Sequence, residues 1–210
     1  MIDIVLPCLD EAAALPWVLS RIPAQARAIV VDNGSTDGSP DIAREHGAYV
    51  IACRQRGYGA ACHAGLLAAE AEFVAFCDCD ASLDPGDTVR LAAVDAELVV
   101  GRRRPVSRSA WSVSSRVANR ELARRVRRRT GAPLRDVGPL RVARRKPLLA
   151  LDILDRRSGY PVETVVRAAA AGWRIAQVDV AYSPRIGHSK VTGTWRGTLT
   201  AVHDMTAVLR

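Results

Sequence analysis

Phe73-Val74-Ala75-Phe76-Cys77-Asp78-Cys79-Asp80 runs from five apolar residues straight into two aspartates two positions apart. A short continuous apolar run that stops at polar residues is the pattern of a strand buried on both faces. Runs of the same kind stand at 2–6, 28–31, 49–52 and 98–101, and helix-like stretches at 11–21, 39–46, 57–70 and 87–93 alternate with them. Strand, helix, strand with right-handed crossovers predicts an α/β fold, a Rossmann-like and mostly parallel central sheet with helices on both faces. Ligands of such sheets bind beyond the carboxyl ends of the strands. The polar loops 7–11, 32–38, 54–59 and 78–84 follow four of those ends and therefore gather on one rim. Beyond residue 101 the pattern predicts an Arg-rich helix at 111–130 and a loop through 136–140. A helix at 162–171, a strand pair near 174–182 and a last helix after Gly193 complete it.

The chain has 210 residues, 49% of them hydrophobic, enough for one sizeable core and little more. It reads as a single domain, 1–210, in two halves, 1–101 with the regular strand–helix alternation and 102–210 with the less regular remainder. No stretch reaches the ~20 apolar residues of a membrane span, and the start lacks the basic-then-apolar layout of a secretion signal. A cytoplasmic location follows, possible contact at the inner face of the membrane included. Five cysteines, Cys8, Cys53, Cys62, Cys77 and Cys79, sit in apolar or motif segments and read as reduced thiols. The net charge is +8 and is unevenly placed. Between Arg102 and Arg145 there are fifteen Arg against Glu121 and Asp136, a local +13 that leaves about −5 for the rest. A mildly acidic body with one concentrated basic region expects an anionic partner.

At a strand end, residues two apart point to the same side, so Asp78 and Asp80 can face one small volume. Hard carboxylate oxygens with open positions suit Mg²⁺ or Mn²⁺, which would bridge the protein to a diphosphate. The plainer alternative has both acids end the strand and cap the next segment. The run Val30-Val31-Asp32-Asn33-Gly34-Ser35-Thr36-Asp37-Gly38 puts an acid at a strand tip, where Asp32 can accept from a base N–H or a ribose hydroxyl. Ser35 and Asp37 in the turn suit a helix cap.

Pro7-Cys8-Leu9-Asp10-Glu11, the Val-Val-Asp-Asn-Gly-Ser-Thr-Asp-Gly run, Arg56-Gly57-Tyr58-Gly59-Ala60-Ala61, Asp78-Cys79-Asp80 and Arg185-Ile186-Gly187-His188-Ser189-Lys190 follow one another in the chain. In that order they resemble family 2 glycosyltransferases, in the branch similar to dolichyl-phosphate mannosyltransferase and bacterial polyprenyl-phosphate sugar transferases. The resemblance spans roughly residues 2–197. It implies the nucleotide-diphospho-sugar transferase (GT-A) fold, a nucleotide-diphosphate sugar donor, and inversion at the sugar carbon. It also implies that Pro7, Glu11 and Asp32 hold the nucleoside, and that Asp78 and Asp80 hold ribose, metal and diphosphate, with Asp80 catalytic. Ser82 stands where the family often has a Gln metal ligand. Asp10 replaces the usual Asn and Asn33 a frequent Asp, which leaves the base open.

Gly57 and Gly59 lead into a helix of small residues, where backbone N–H groups could approach a nucleotide's phosphate, or where glycine serves the turn alone. Arg185, Ser189 and Lys190 combine a fixed fork, a hydroxyl and a mobile charge in a Gly-containing loop that suits phosphate oxygens. His188 in that loop is a candidate third metal ligand or an exposed imidazole. Cys77 and Cys79 have no partner pair for a tetrahedral site and read as packing. Glu163 sits in a first helical turn. The resemblance puts there the general base that deprotonates a hydroxyl acceptor, and capping is its other use. Asp136, ahead of Val137-Gly138-Pro139-Leu140-Arg141, competes for that role, and Arg141 is a candidate phosphate or acceptor contact. A phosphate acceptor would need no base.

Arg116, Arg120, Arg124, Arg127 and Arg128 recur at helical spacing and line one face. A polyprenyl phosphate, or another anionic acceptor at an acidic bilayer, would answer that charge. A solvated Arg face is the alternative. Trp195, Leu199, Val202, Met205 and Leu209 form an apolar stripe that suits core packing. A nucleic-acid module built on the Arg helix would leave the Asp-rich rim as an unexplained repulsive surface, so no nucleic acid is expected.

Overall fold

The structure, a computed structural model, describes residues 1–187 and 204–209. Seven strands form one sheet: β1 (Ile2–Cys8), β2 (Ala26–Asp32), β3 (Tyr49–Ala52), β4 (Phe73–Phe76), β5 (Leu98–Pro105), β6 (Arg141–Arg144) and β7 (Ile175–Tyr182). Their order across the sheet is β3-β2-β1-β4-β6-β5-β7. All pairings are parallel except those of β6, which runs antiparallel between β4 and β5. β1, β2 and β3 end side by side, with Cys8 opposite Asp32 and Asp32 opposite Ala52, and β4 ends at Phe76 opposite Val5, at the same end of the sheet. The loops that leave them therefore share a rim.

Helices cover both faces. α1 (Leu15–Leu19), α2 (Ser39–Glu45) and α4 (Asp87–Ala92) lie on one side. There Leu15, Val18, Ala43 and Leu91 pack with Ile4, Leu6 and Val30. α3 (Tyr58–Ala68), α5 (Val113–Thr130), α6 (Arg145–Ala150) and α7 (Tyr160–Ala170) lie on the other. There Cys62, Leu66, Val126, Leu148 and Val162 pack with Val5, Ile29 and Val31. Successive strand residues thus feed opposite cores, which is why the runs are apolar without alternation. All five cysteines are free thiols. Burial pushes Cys77 well above its ordinary pKa and Cys62 up to about 12, as packing thiols require. No helix of the described residues is long and apolar enough to cross a membrane.

Three expectations need correction. The strand pair near 174–182 is a single strand, β7, laid parallel on β5 along its whole length. The loop through 136–140 leads into β6, which the sequence did not announce, because Arg141-Val142-Ala143-Arg144 has charged ends. It is a strand because Val142 and Ala143 point into the two opposite cores and its ladders close the gap between β4 and β5. The first helix is also shorter than the predicted 11–21, since residues 10–12 are tied to the loop after β2. Of the last apolar stripe, Met205 and Leu209 pack against the α3–α7 core. Trp195, Leu199 and Val202 lie outside the described residues.

Candidate active site

The loops after β1 and β2 are stitched into one floor. The Asp10 N–H donates to Ser35 Oγ (2.9 Å), and Asp10 Oδ1 accepts from the Thr36 N–H (2.7 Å). The Glu11 N–H donates to Ser39 Oγ and the Ala12 N–H to Asp37 Oδ2 (both 2.9 Å). Asp10 has a positive φ of 52°, a conformation that Asp and Asn tolerate better than most residues. Asp32 closes its own turn through Oδ1, which accepts from the Ser35 N–H (2.9 Å), and part of its side chain stays accessible. Pro7 lies in β1 beside Val31.

Asn33 is a residue that the sequence reading left without a role. Its Nδ2 donates to the carbonyls of Cys53 (3.0 Å) and Gln55 (2.7 Å), and its Oδ1 accepts from the Gly57 N–H (2.8 Å). An amide is the only side chain that donates and accepts in this way, so Asn rather than Asp at this position follows from the loop's needs. The expectation that Gly57 contacts nucleotide is corrected by the same geometry. Its N–H is taken by Asn33, and a Cβ there would lie 2.2 Å from the Arg156 carbonyl oxygen. The N–H groups of Gly59 and Ala60 donate to the carbonyls of Arg157 and Arg156. The backbone donors that open α3 hold the 155–157 loop, not an anion.

Asp80 is buried. Its Oδ1 accepts from the Ser82 N–H (3.0 Å) and Ser82 Oγ (2.5 Å), and its Oδ2 lies 3.3 Å from Nη1 of Arg185. Ser82, expected as a metal ligand, is 1% exposed and gives its hydroxyl proton to Asp80, so it orients that carboxylate instead. Asp78 is partly accessible and accepts no hydrogen bond among the described residues. Desolvation, then the charge of Asp80, pushes its pKa up to about 7 against the pull of Arg103, Arg141 and Arg185. Two neighbouring carboxylates, one of them without a hydrogen-bond donor among the described residues, fit a hard divalent ion. Among the described residues no third acid, His or Cys joins them. His188, Ser189 and Lys190 lie outside the described residues.

Arg185 joins the two ends of this site. Its Nη2 is 2.8 Å from Glu11 Oε1 while Nη1 faces Asp80. Arg141 comes from below: it is 2% exposed, its Nε donates to the Gly138 carbonyl (2.9 Å), and its charge acts on Asp78, Tyr58 and Tyr160. Expected as a phosphate or acceptor contact, Arg141 is a buried counter-charge to this site. Arg103, at the far end of β5, escaped the sequence reading because it stands among three arginines that look alike. It lies over Trp111 (4.1 Å to the ring centre) and pairs with Asp136 through both carboxylate oxygens.

The two candidate bases are engaged. Asp136 is 2% exposed, and all its side-chain hydrogen bonds among the described residues come from Arg103, backbone N–H included. Glu163 accepts from the N–H groups of Leu154 (3.0 Å) and Asp155 (2.6 Å) and from Arg167 Nε (2.6 Å). Despite a desolvation that works the other way, these donors hold its pKa below the usual carboxylate range. A carboxylate so held is a poor proton acceptor, and its evident work is to fix the 154–155 turn. That turn leads into the carbonyls that grip α3.

The profile of the family described as Glycosyl transferase family 2 matches residues 3–151. An uncharacterized glycosyltransferase of Mycobacterium tuberculosis is 50% identical over 99% of this chain and 97% of its own length. A dolichyl-phosphate hexose transferase of Haloferax volcanii is 29% identical over 90% of this chain and 85% of its own. Among solved structures, glucosyl-3-phosphoglycerate synthase from Mycobacterium tuberculosis, in complex with Mn²⁺, uridine diphosphate and glucosyl-3-phosphoglycerate, superposes with a TM-score of 0.79. It covers 100% of this chain and 78% of that one at 23% identity, a likeness of fold. Its structures are GT-A folds, and the sheet described above is of that kind.

Proposed function

The chain belongs to glycosyl transferase family 2 and is a nucleotide-sugar glycosyltransferase. On that premise we propose that it is a single-domain, inverting, metal-dependent hexosyltransferase whose acceptor is a polyprenyl phosphate. The observation that carries the proposal is the convergence of Asp78, Asp80, Arg185 and Glu11 on one rim.

Pro7, Glu11 and Asp32 line the nucleoside end, and the diphosphate lies toward Asp78 and Asp80. Those two carboxylates would hold Mg²⁺ or Mn²⁺, and the ion would supply charge to stabilise the departing nucleoside diphosphate. Similar folds carry Mn²⁺ or Mg²⁺ with uridine diphosphate. Ser82 keeps Asp80 oriented, while Arg185 faces the phosphates; Ser189 and Lys190 are proposed phosphate contacts and His188 a proposed metal ligand. The acceptor oxygen bonds to the anomeric carbon on the face opposite the diphosphate as the bond from that carbon to the diphosphate oxygen breaks. Positioning and electrostatics supply most of the acceleration.

A phosphate acceptor is favoured because Glu163 and Asp136 are both held by arginine, and a phosphate oxygen attacks without a base. Relatives named for dolichyl phosphate and undecaprenyl phosphate accord with this. So does α5, whose Arg116, Arg120 and Arg128 are exposed and suit the face of an acidic membrane on the cytoplasmic side. The second reading keeps the donor and takes a soluble acceptor, as glucosyl-3-phosphoglycerate synthase does by its name. With a hydroxyl as the attacking group, that reading needs a base. The test is sugar transfer from a panel of nucleotide sugars with Mn²⁺ to undecaprenyl phosphate, undecaprenol and 3-phosphoglycerate. Product from undecaprenyl phosphate alone is expected. Product from 3-phosphoglycerate alone overturns the lipid acceptor, and product from none overturns the donor assignment.

A further inference from the structure

We propose that Arg185 is a built-in cation that competes with the divalent ion for Asp80 and passes to the donor's diphosphate when the nucleotide binds. It thereby couples metal binding to donor binding. The inference rests on the donor reading above and concerns how that site loads.

Asp80 has one oxygen committed to Ser82 and one free to meet a cation, and Arg185 stands at the free one, with Nη1 3.3 Å away. A guanidinium and a divalent ion on the same carboxylate oxygen repel each other strongly at this range. An anion between them removes the conflict, and a diphosphate is an anion with oxygens for both. Arginine's planar fork suits phosphate, and Arg185 has a donor in hand for it. Its Nε is buried without a hydrogen-bond partner, an arrangement that costs free energy until an acceptor arrives.

The backbone around Arg185 is fixed. The Ile186 N–H donates to the Asp80 carbonyl and the Ser183 N–H to the Ser82 carbonyl, both at 2.9 Å. The strand-end motif and the 183–186 segment therefore move as one, and the exchange is a change of partner by the side chain. Glu11, 2.8 Å from Nη2, keeps the guanidinium on the nucleotide side throughout. By linkage, the factor by which the diphosphate tightens metal binding is the factor by which the metal tightens diphosphate binding.

The readout is Mn²⁺ binding, followed by the paramagnetic resonance of free Mn²⁺, with and without uridine diphosphate. In Arg185→Gln the competitor is gone. Mn²⁺ alone should bind several-fold tighter than to the unaltered protein, and the enhancement by uridine diphosphate should shrink by a factor within about 5–150. Arg185→Lys keeps a charge and should keep Mn²⁺ weak without nucleotide. Equal or weaker Mn²⁺ binding to Arg185→Gln overturns the proposal. A second measurement needs no variant: the ¹⁵Nε resonance of Arg185 should shift on adding Mg²⁺ with uridine diphosphate, and no shift is equally fatal. If the unaltered protein binds neither Mn²⁺ nor uridine diphosphate, the donor reading itself has failed. If it binds both and Arg185→Gln changes nothing, the exchange alone has failed.

Discussion

Asp80 and Glu163 are both buried carboxylates that accept backbone N–H groups, and what else they touch separates their work. Asp80 turns one oxygen toward Arg185, whereas Glu163 has both oxygens held by two N–H groups and Arg167. Asp80→Asn should lower kcat/KM by roughly 10²–10³-fold, the scale of removing one preorganised electrostatic contact, without lowering the melting temperature. Steady-state kinetics and thermal denaturation check both parts. Glu163→Gln should do the reverse. It gives up a charged partner of Arg167 and should cost about 1–3 kcal/mol of stability, while kcat changes by only a few-fold. A loss of about 10²–10⁴ in kcat, the usual worth of a general base, would restore Glu163 to proton transfer. The sequence singled out both acids. It could not show which one is saturated, because the donors to Glu163 come from a turn eight and nine residues away.

At the scale of elements, α3 and α5 show two uses of a helix end. The start of α3 is packed against backbone, and at Gly57 a φ of 137° and the nearby Arg156 carbonyl leave no room for a side chain. Gly57→Ala should destabilise by roughly 2–4 kcal/mol through strain and overpacking, read as a shift in the urea midpoint. The start of α5 is the opposite case. It is capped by Ser112, whose Oγ accepts from the Ser115 N–H, and residues 112–118 are exposed on every side. Val113 and Val117, 74% and 63% exposed, share the outward stripe with Arg116, Arg120 and Arg124. Among the described residues Glu121 pairs with Arg124 and Arg125. If this stripe serves a lipid acceptor, the protein should sediment with phosphatidylglycerol vesicles and release as salt rises. The pair Arg116→Gln and Arg120→Gln should then bind less well, and equal retention by neutral phosphatidylcholine vesicles would refute it. The periodicity of the arginines was legible. The length of helix that stands clear of the body was not, since Asn119, Leu122 and Val126 give no sign of where packing begins.

At the scale of the whole molecule, the sheet is pinned at the start of β1, the strand end away from the site, by Asp3. This buried acid accepts from Arg27 (2.8 Å) and from the N–H groups of Glu70 (2.6 Å) and Ala71 (2.9 Å). Although desolvation opposes it, these donors hold its pKa below the ordinary value, as they do for Glu163. A carboxyl whose folded pKa is depressed stabilises the fold above its unfolded pKa, near 4, and loses that contribution as pH falls toward the folded value. Stability should therefore be level from neutrality to about pH 5 and decline below about pH 4. Asp3→Asn should be less stable at neutrality and show a shallower acid limb, as urea titrations across pH would record.

The doubly covered sheet, the shared rim and the paired aspartates at a strand end were fixed by the chain's local pattern. Apolar runs, turn residues and spacing of two are properties of neighbours in sequence. The tertiary structure decided the antiparallel insertion of β6 and the single strand β7. It also decided the burial of Arg141 and Asp136 and the bridging of Glu11 to Asp80 by Arg185. Each of these depends on groups distant in the chain, 174 residues apart for Arg185 and Glu11. Which charge meets which is settled only when packing removes water from between them.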